Sequence, residues 1–244
     1  MKLTVVGCSG SVPSPDSPAS CYLVEAHDGE RPWRVLLDLG SGALGPLHRY
    51  VEPVAVDAVL LSHLHPDHCL DLCGLYVMLK YAPQVRTPEA AGRPKPQVWG
   101  PSGTHARMVR AYDLPPEPGM RRQLDFQTWR EPQPVRFGPL AVLPFRVNHP
   151  VLAYGFRIED STTGGVLAYT GDTDLCDALD PLCAGADVVL ADTAFVWGRD
   201  PTRGVHLTAA RAGAAVAKAG GVGTLVLTHI PPWNDPAASY AEAR

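Results

Sequence analysis

Short apolar runs recur along this chain, and nearly all of them stop at a histidine, an aspartate or a glycine-rich turn. Residues 3–6, 22–25, 34–39 and 56–61 have the β-branched and leucine content of strands, divided by turn-rich segments such as Ala26-His27-Asp28-Gly29-Glu30. Residues 98–99 and 126–129 add two short strands around a connection broken by Pro83, Pro88, Pro94 and Pro96. A second strand-rich stretch follows, with 135–137 and 140–147 paired about Gly138-Pro139, then 154–158, 166–170, 187–192 and 224–229. Helical spacing covers 69–81, which is apolar nearly all round and so predicted to be buried. Shorter helices are predicted at 176–182 and 206–218, the second closed by Gly220-Gly221. His105 falls in another helical pattern and reads as a packing or surface residue. Strands followed by helices, twice over, predict two mixed sheets packed face to face with helices outside. That is an α/β four-layer αββα sandwich, expected as one domain over residues 1–244.

The densest chemistry follows the run at 56–61, in Ser62-His63-Leu64-His65-Pro66-Asp67-His68. Adjacent residues of an extended chain point to opposite faces while alternate residues share one, so four donors this close strain to meet one ion. Two ions relieve the strain, His63 and His65 on one, Asp67 and His68 on the other. Later strands end at His149, Asp172 and His229. With Asp172 bridging, the first ion takes His63, His65, His149 and Asp172, and the second takes Asp67, His68, His229 and Asp172. Both stay open to a shared water, and paired divalent ions make a bridging hydroxide available at neutral pH. Asp67 can also orient it. His206 has no place in either set, and Asp192 at the preceding strand end can hold it. A carboxylate-held imidazolium suits protonation of a leaving alkoxide, which makes His206 the candidate general acid, with a helix cap or packing role as the alternative. Asp38, beside Gly40 and Gly42, is either a support for a metal ligand or a turn cap.

A net charge of −4 leaves no basic footprint, which counts against a nucleic-acid partner. No run approaches the ~20 apolar residues of a membrane span, and residues 1–7 hold no apolar signal core. A cytoplasmic protein without membrane contact is expected, and in that compartment the six cysteines read as free thiols. Cys69 and Cys73, four apart, match a zinc-finger spacing only weakly, against simple core packing. Gly7-Cys8-Ser9-Gly10-Ser11 is a small-residue loop whose amides could approach a phosphate. Arg121-Arg122 is a solvated pair or an anion contact, and Trp233 is either packed or free to stack on a nucleobase.

Together, His63-Leu64-His65-Pro66-Asp67-His68, His149 with Tyr154-Gly155-Phe156-Arg157-Ile158, Tyr169-Thr170-Gly171-Asp172-Thr173, His206-Leu207-Thr208 and Thr228-His229-Ile230 resemble a metallo-β-lactamase-fold hydrolase. The branch they resemble contains ribonuclease Z and related phosphodiesterases. Gly7 to Ser11 with Pro15 to Ser20, His68-Cys69-Leu70-Asp71-Leu72 and Thr228-His229-Ile230-Pro231-Pro232-Trp233 are similar to actinobacterial atypical class II cyclic-nucleotide phosphodiesterases. The resemblance implies the αββα fold, a two-zinc site, a substrate such as 3′,5′-cyclic AMP, and a homodimer. Manganese or iron would accept the same ligands. This chain departs from the pattern in three places. Only room for a hairpin separates His149 from Asp172, where ribonuclease Z proteins commonly carry a long tRNA-holding arm; Asp192 stands where Glu is usual; and the chain stops at Arg244 where relatives continue through a further helix and strand.

The function expected is therefore hydrolysis of a small cyclic phosphodiester by a metal-bridging hydroxide. Three alternatives share the ligands: a ribonuclease Z-like tRNA 3′-end nuclease, a thiolester or lactone hydrolase, and a metal-holding sensor with negligible turnover. A poor leaving group such as a ribose oxygen needs a proton donor like His206 more than a thiolate does.

Overall fold

A computed structural model describes residues 1–87 and 92–243, so Pro88 and Arg244 lie outside the described residues. The first sheet runs in chain order through β1 (Lys2–Gly7), β2 (Cys21–His27), β3 (Pro32–Leu37), β4 (Ala58–Leu60), β5 (Gln97–Gly100) and β6 (Asp125–Thr128). Its first three strands pair antiparallel, and β3 to β6 pair in parallel. The second sheet has β7 (Val135–Phe137), β8 (Leu140–Arg146), β9 (Tyr154–Asp160) and β10 (Val166–Tyr169) antiparallel, then β11 (Val188–Asp192) and β12 (Thr224–Thr228) parallel to β10.

Central strands are apolar at successive positions because both of their faces are covered. Tyr22 and Val24 of β2 turn inward to meet Phe156, Tyr169 and Val142 of the second sheet. Cys21 and Leu23 turn outward under α1 (Leu44–Leu47), α3 (Leu72–Tyr81) and α4 (Thr104–Ala111), with Leu47, Leu72, Leu75 and Met108 in the same cluster. On the far side, Ala168, Val189 and Ala191 pack against Leu179 and Leu182 of α5 (Leu179–Cys183) and Ala212 and Ala215 of α6 (Ala209–Lys218). Three cores between four layers make the αββα sandwich. No described helix is long and apolar enough to cross a membrane.

The helix expected at 69–81 is broken. A short α2 (Pro66–Cys69) begins inside the histidine motif, and α3 starts three residues later. The break is pinned by Asp71, whose N–H donates to Leu39 O (3.2 Å) and whose Oδ2 accepts from Leu44 N (2.8 Å). Nor is α3 buried all round: Leu72, Leu75 and Tyr76 are, while Lys80 and Tyr81 are exposed. The strand expected at 56–61 is shorter than its apolar run, the helix expected at 176–182 starts only at Leu179, and the one expected at 206–218 starts only at Ala209, capped by Thr208. His105 lies in α4 with its ring 4.9 Å from Phe126. Cys69 is buried and Cys73 half-buried, both in the first outer core, and all six cysteines are free. Trp233 is not packed; it is 62% exposed, in the turn before α7 (Pro236–Glu242).

Candidate metal centre

The parallel strands β4, β10, β11 and β12 all point their carboxyl ends to one rim, which β8 also reaches, and there the loops bring the polar side chains together. His63 follows β4 on extended chain. His65 then precedes α2, whose Pro66 sits at the first helical position, and the turn places Asp67 and His68 beside it. Gly40 passes so close that a Cβ there would collide with the Asp67 carbonyl. Gly171, at φ +58°, makes the left-handed bend that aims Asp172 back into the rim. His229 itself takes φ +57°, a costly backbone for a histidine and one met mainly at functional sites.

Two groups of donors lie side by side, and Asp172 and His229 of the second also form a third group with Asp192 and His206. His63, His65 and His149 offer ring nitrogens within 4.8 Å of one another, with His63 Nε2 2.9 Å and His149 Nε2 3.3 Å from His65 Nδ1. Asp67, His68, Asp172 and His229 form the second group. There His68 Nε2 lies 3.2 Å from His229 Nε2 and 3.2 Å from Asp172 Oδ1, and His229 Nε2 lies 3.1 Å from Asp67 Oδ2 and 3.4 Å from Asp172 Oδ2. Asp172 Oδ2 is also 3.7 Å from His63 Nε2, so this one carboxylate faces both groups.

These spacings fit a cation. Ligands held tetrahedrally at about 2.0–2.1 Å sit roughly 3.3–3.4 Å from each other. Facing ring nitrogens have few protons to share between them, and Asp172 Oδ1 is buried without a hydrogen-bond partner among the described residues. A metal ion would answer both conditions. Burial pushes His63, His65 and His149 below the usual histidine range, toward the neutral form that binds metal. At Asp172 burial opposes the charge, but His229, His68 and His63 outweigh it and hold the carboxyl well below the usual range. Burial opposes protonation of His229 as well, and Asp172 overrides it, lifting the pKa to about 10. The carboxylates thus demand positive charge at this point, which a divalent cation supplies in place of protons.

Behind the second group stands Asp38, fully buried at φ +58°. Its Oδ2 accepts from His68 Nδ1 (2.8 Å), Ser62 Oγ (2.8 Å) and Tyr169 Oη (2.7 Å), and its Oδ1 accepts from Ser62 N (2.7 Å). None of these bonds caps Asp38's own turn; they fix the His68 imidazole so that Nε2 faces inward. His149 is fixed in the same way by Val205 O, 2.8 Å from its Nδ1. The segment that carries Val205 is tied at Gly204 to buried Asp174, which accepts from Gly204 N (2.8 Å) and Arg211 Nη1 (2.6 Å). Tyr169, Asp174 and Arg211 were not among the sequence candidates; Asp174, two residues after Asp172 in a Gly-Asp-Thr-Asp run, left the only local signal.

His206 lies beside both groups, its ring 5.4 Å from His149 and 5.2 Å from His229. Its Nδ1 meets Asp192 Oδ2 at 2.8 Å, so the shorter acid reaches it. Asp192 also accepts from Thr173 N and Ala194 N, both at 3.0 Å. Burial opposes a proton on His206, and Asp192 outweighs it, so the pKa lies above the usual range. With Nδ1 committed, Nε2 is left free for a ligand or a proton. The Gly7 to Ser11 loop packs here too: a Cβ on Gly10 would strike the His229 carbonyl, and Ser11 N lies 3.3 Å from His229 Nε2. Arg121 and Arg122 are exposed and away from these contacts, Arg121 lying 3.9 Å from Glu117.

Residues 33–230 match the family model of the beta-lactamase superfamily domain. The chain is 41% identical over 248 residues to Uncharacterized protein Mb1374 of Mycobacterium bovis, covering 100% of this chain and 86% of that protein. It is 31% identical to the Probable metallo-hydrolase YhfI of Bacillus subtilis, over 95% of this chain and 87% of that one. The crystal structure of YhfI superposes with a TM-score of 0.81 at 27% identity, over 99% of this chain and 91% of the other. Ribonuclease Z of Mycobacterium bovis is 31% identical, over 97% and 88% of the two chains.

Proposed function

Because the chain belongs to the beta-lactamase superfamily, as a metallo-hydrolase, we propose that it is a binuclear zinc phosphodiesterase hydrolysing a small cyclic nucleotide such as 3′,5′-cyclic AMP. His63, His65, His149 and Asp172 would hold one ion, and Asp67, His68, His229 and Asp172 the other. Manganese or iron fits the same donors. Two divalent ions, when bound, lower the pKa of a shared water and offset phosphodiester charge.

The observation that carries the proposal is His206, held by Asp192 at 2.8 Å beside both donor groups with Nε2 free. Asp192 keeps the proton on Nδ1 and stabilises the imidazolium, so Nε2 can release a proton to the departing ribose oxygen. Phe195, edge-on to the His206 ring at 5.1 Å, keeps that ring in its plane. Asp67 would orient the nucleophile. A small substrate is favoured because only β9, β10 and their turn separate His149 from Asp172, with no arm to grip RNA, and because the net charge is −4.

The test is a turnover panel of 3′,5′- and 2′,3′-cyclic nucleotides, precursor tRNA and a thiolester, with metal analysis on the same sample. Metal-loaded protein that leaves both classes of cyclic nucleotide intact would overturn the proposal. The 31% identity to ribonuclease Z supports a second reading, a tRNA 3′-end nuclease. Salt-sensitive cleavage of precursor tRNA in the same panel would favour it.

A further inference from the structure

Four described residues other than glycine hold left-handed backbone, and two of them, Asp38 and His229, belong to the metal centre. Ser11 is a third that reaches it. Val12 N donates to Gly10 O (2.7 Å) with Ser11 between them at φ +63°, a γ-turn of the rare and strained hand. The turn leaves Ser11 N outside the loop's own bonding and aims it at His229 Nε2, 3.3 Å away, its one acceptor among the described residues. The loop does not need that bond to stay seated. Gly10 N donates to Ile230 O (3.1 Å), Ser9 N to Pro18 O (3.1 Å) and Ser9 Oγ to Val12 O (2.7 Å), and Gly10 is pressed against the His229 carbonyl. Backbone strain of this kind persists where the surrounding structure enforces it, and it gathers at ligand contacts.

His229 Nε2 has one lone pair, which serves an N–H or a cation but not both. In the metal-loaded protein Ser11 N–H therefore loses its acceptor, while the rest of the loop keeps it fixed beside the ligand nitrogens on an exposed residue. We propose that this amide is a substrate donor, binding a non-bridging oxygen of the phosphoryl group that is hydrolysed. A backbone N–H held in place before the reaction stabilises charge that grows on such an oxygen, at no cost in reorganisation. Naming the oxygen as phosphoryl rests on the phosphodiesterase reading; the donor does not, since an acyl oxyanion would be held in the same way. The competing role is structural, with the Ser11 bond locking the loop to His229 and supporting that ligand.

Inorganic phosphate is the probe, read by calorimetry on the zinc-loaded protein without turnover. Cys21 allows residues 1–20 to be supplied as a synthetic peptide and joined to the rest of the chain, so an ester can replace the Gly10–Ser11 amide and remove this one N–H with every side chain kept. Against the all-amide protein made in the same way, phosphate should bind roughly tenfold or more weakly. Chelator competition should find zinc held no less tightly, because a competitor for His229 Nε2 has gone. In unmodified zinc-loaded protein, isotope-labelled at serine nitrogen, the Ser11 amide proton should move downfield when phosphate is added. Unchanged phosphate affinity in the ester protein overturns the proposal, as does an unmoved Ser11 signal. Weaker zinc binding in the ester protein also overturns it, since the amide would then be a support for His229. These outcomes are separate from the turnover panel: a phosphate site that depends on Ser11 stands even if cyclic nucleotides are left intact, and one that does not depend on it fails even if they are cleaved.

Discussion

At Asp38 a single carboxylate oxygen accepts from a histidine, a serine and a tyrosine, and the residue holds left-handed backbone to do so. Asp38→Asn replaces one acceptor with a donor and leaves His68 without its anchor. Loss of such an anchor typically costs 10–100-fold in metal affinity, so chelator competition should find at least one ion held about that much more weakly. His206 acts on a different quantity. His206→Ala should lower turnover by roughly 10²–10⁴-fold with metal content unchanged, whereas Asp172→Ala should lower both. Equal metal content and equal activity in these two variants would contradict the roles proposed for them. At this scale the strand-end donors were legible because each ends an apolar run, and the structure brings them to one rim. Tyr169 was not, because its partner Asp38 is 131 residues away and an apolar strand context makes any tyrosine read as core.

Strands were easier to read than helix boundaries, and the reason is what sets each. Period-two burial survives in the sequence, so β8 alternates buried and half-buried positions through most of its length. The break between α2 and α3 depends on Asp71 reaching the segment after β3, a contact that helical spacing cannot record. A comparable tie joins the segment after β6 to the one after β4, through the buried bond from Trp129 Nε1 to Leu61 O. Trp129→Phe keeps most of the ring and removes the donor, leaving the Leu61 carbonyl unpaired. An unpaired buried acceptor costs about 1–3 kcal/mol. Urea unfolding should therefore show a lower midpoint with an unchanged slope, and an unchanged midpoint would mean that this tie contributes nothing to stability.

For the molecule as a whole, the candidate ligands divide between the sheets. His63, His65, Asp67 and His68 belong to the first half, and His149, Asp172 and His229 to the second. Ions bound there would clip the two sheets together at the rim, in addition to the apolar core between them. Without a cation, Asp67 and Asp172 must be balanced by protons on neighbouring histidines, in a cluster where ring nitrogens face one another at 3.2 Å. A ligand that binds only the folded state stabilises it by about 4 kcal/mol at a thousandfold excess over Kd. Chelation should consequently lower the melting temperature, and readdition of zinc should restore it. The location of the change is more telling than its size. Hydrogen exchange should rise together in residues 62–68, 148–150, 171–173 and 229–231, drawn from both halves, while β2 and β3 in the central core stay protected. If chelated protein, verified free of metal, loosened in only one of those halves, the ions would not bridge the sheets and Asp172 could not be shared between them.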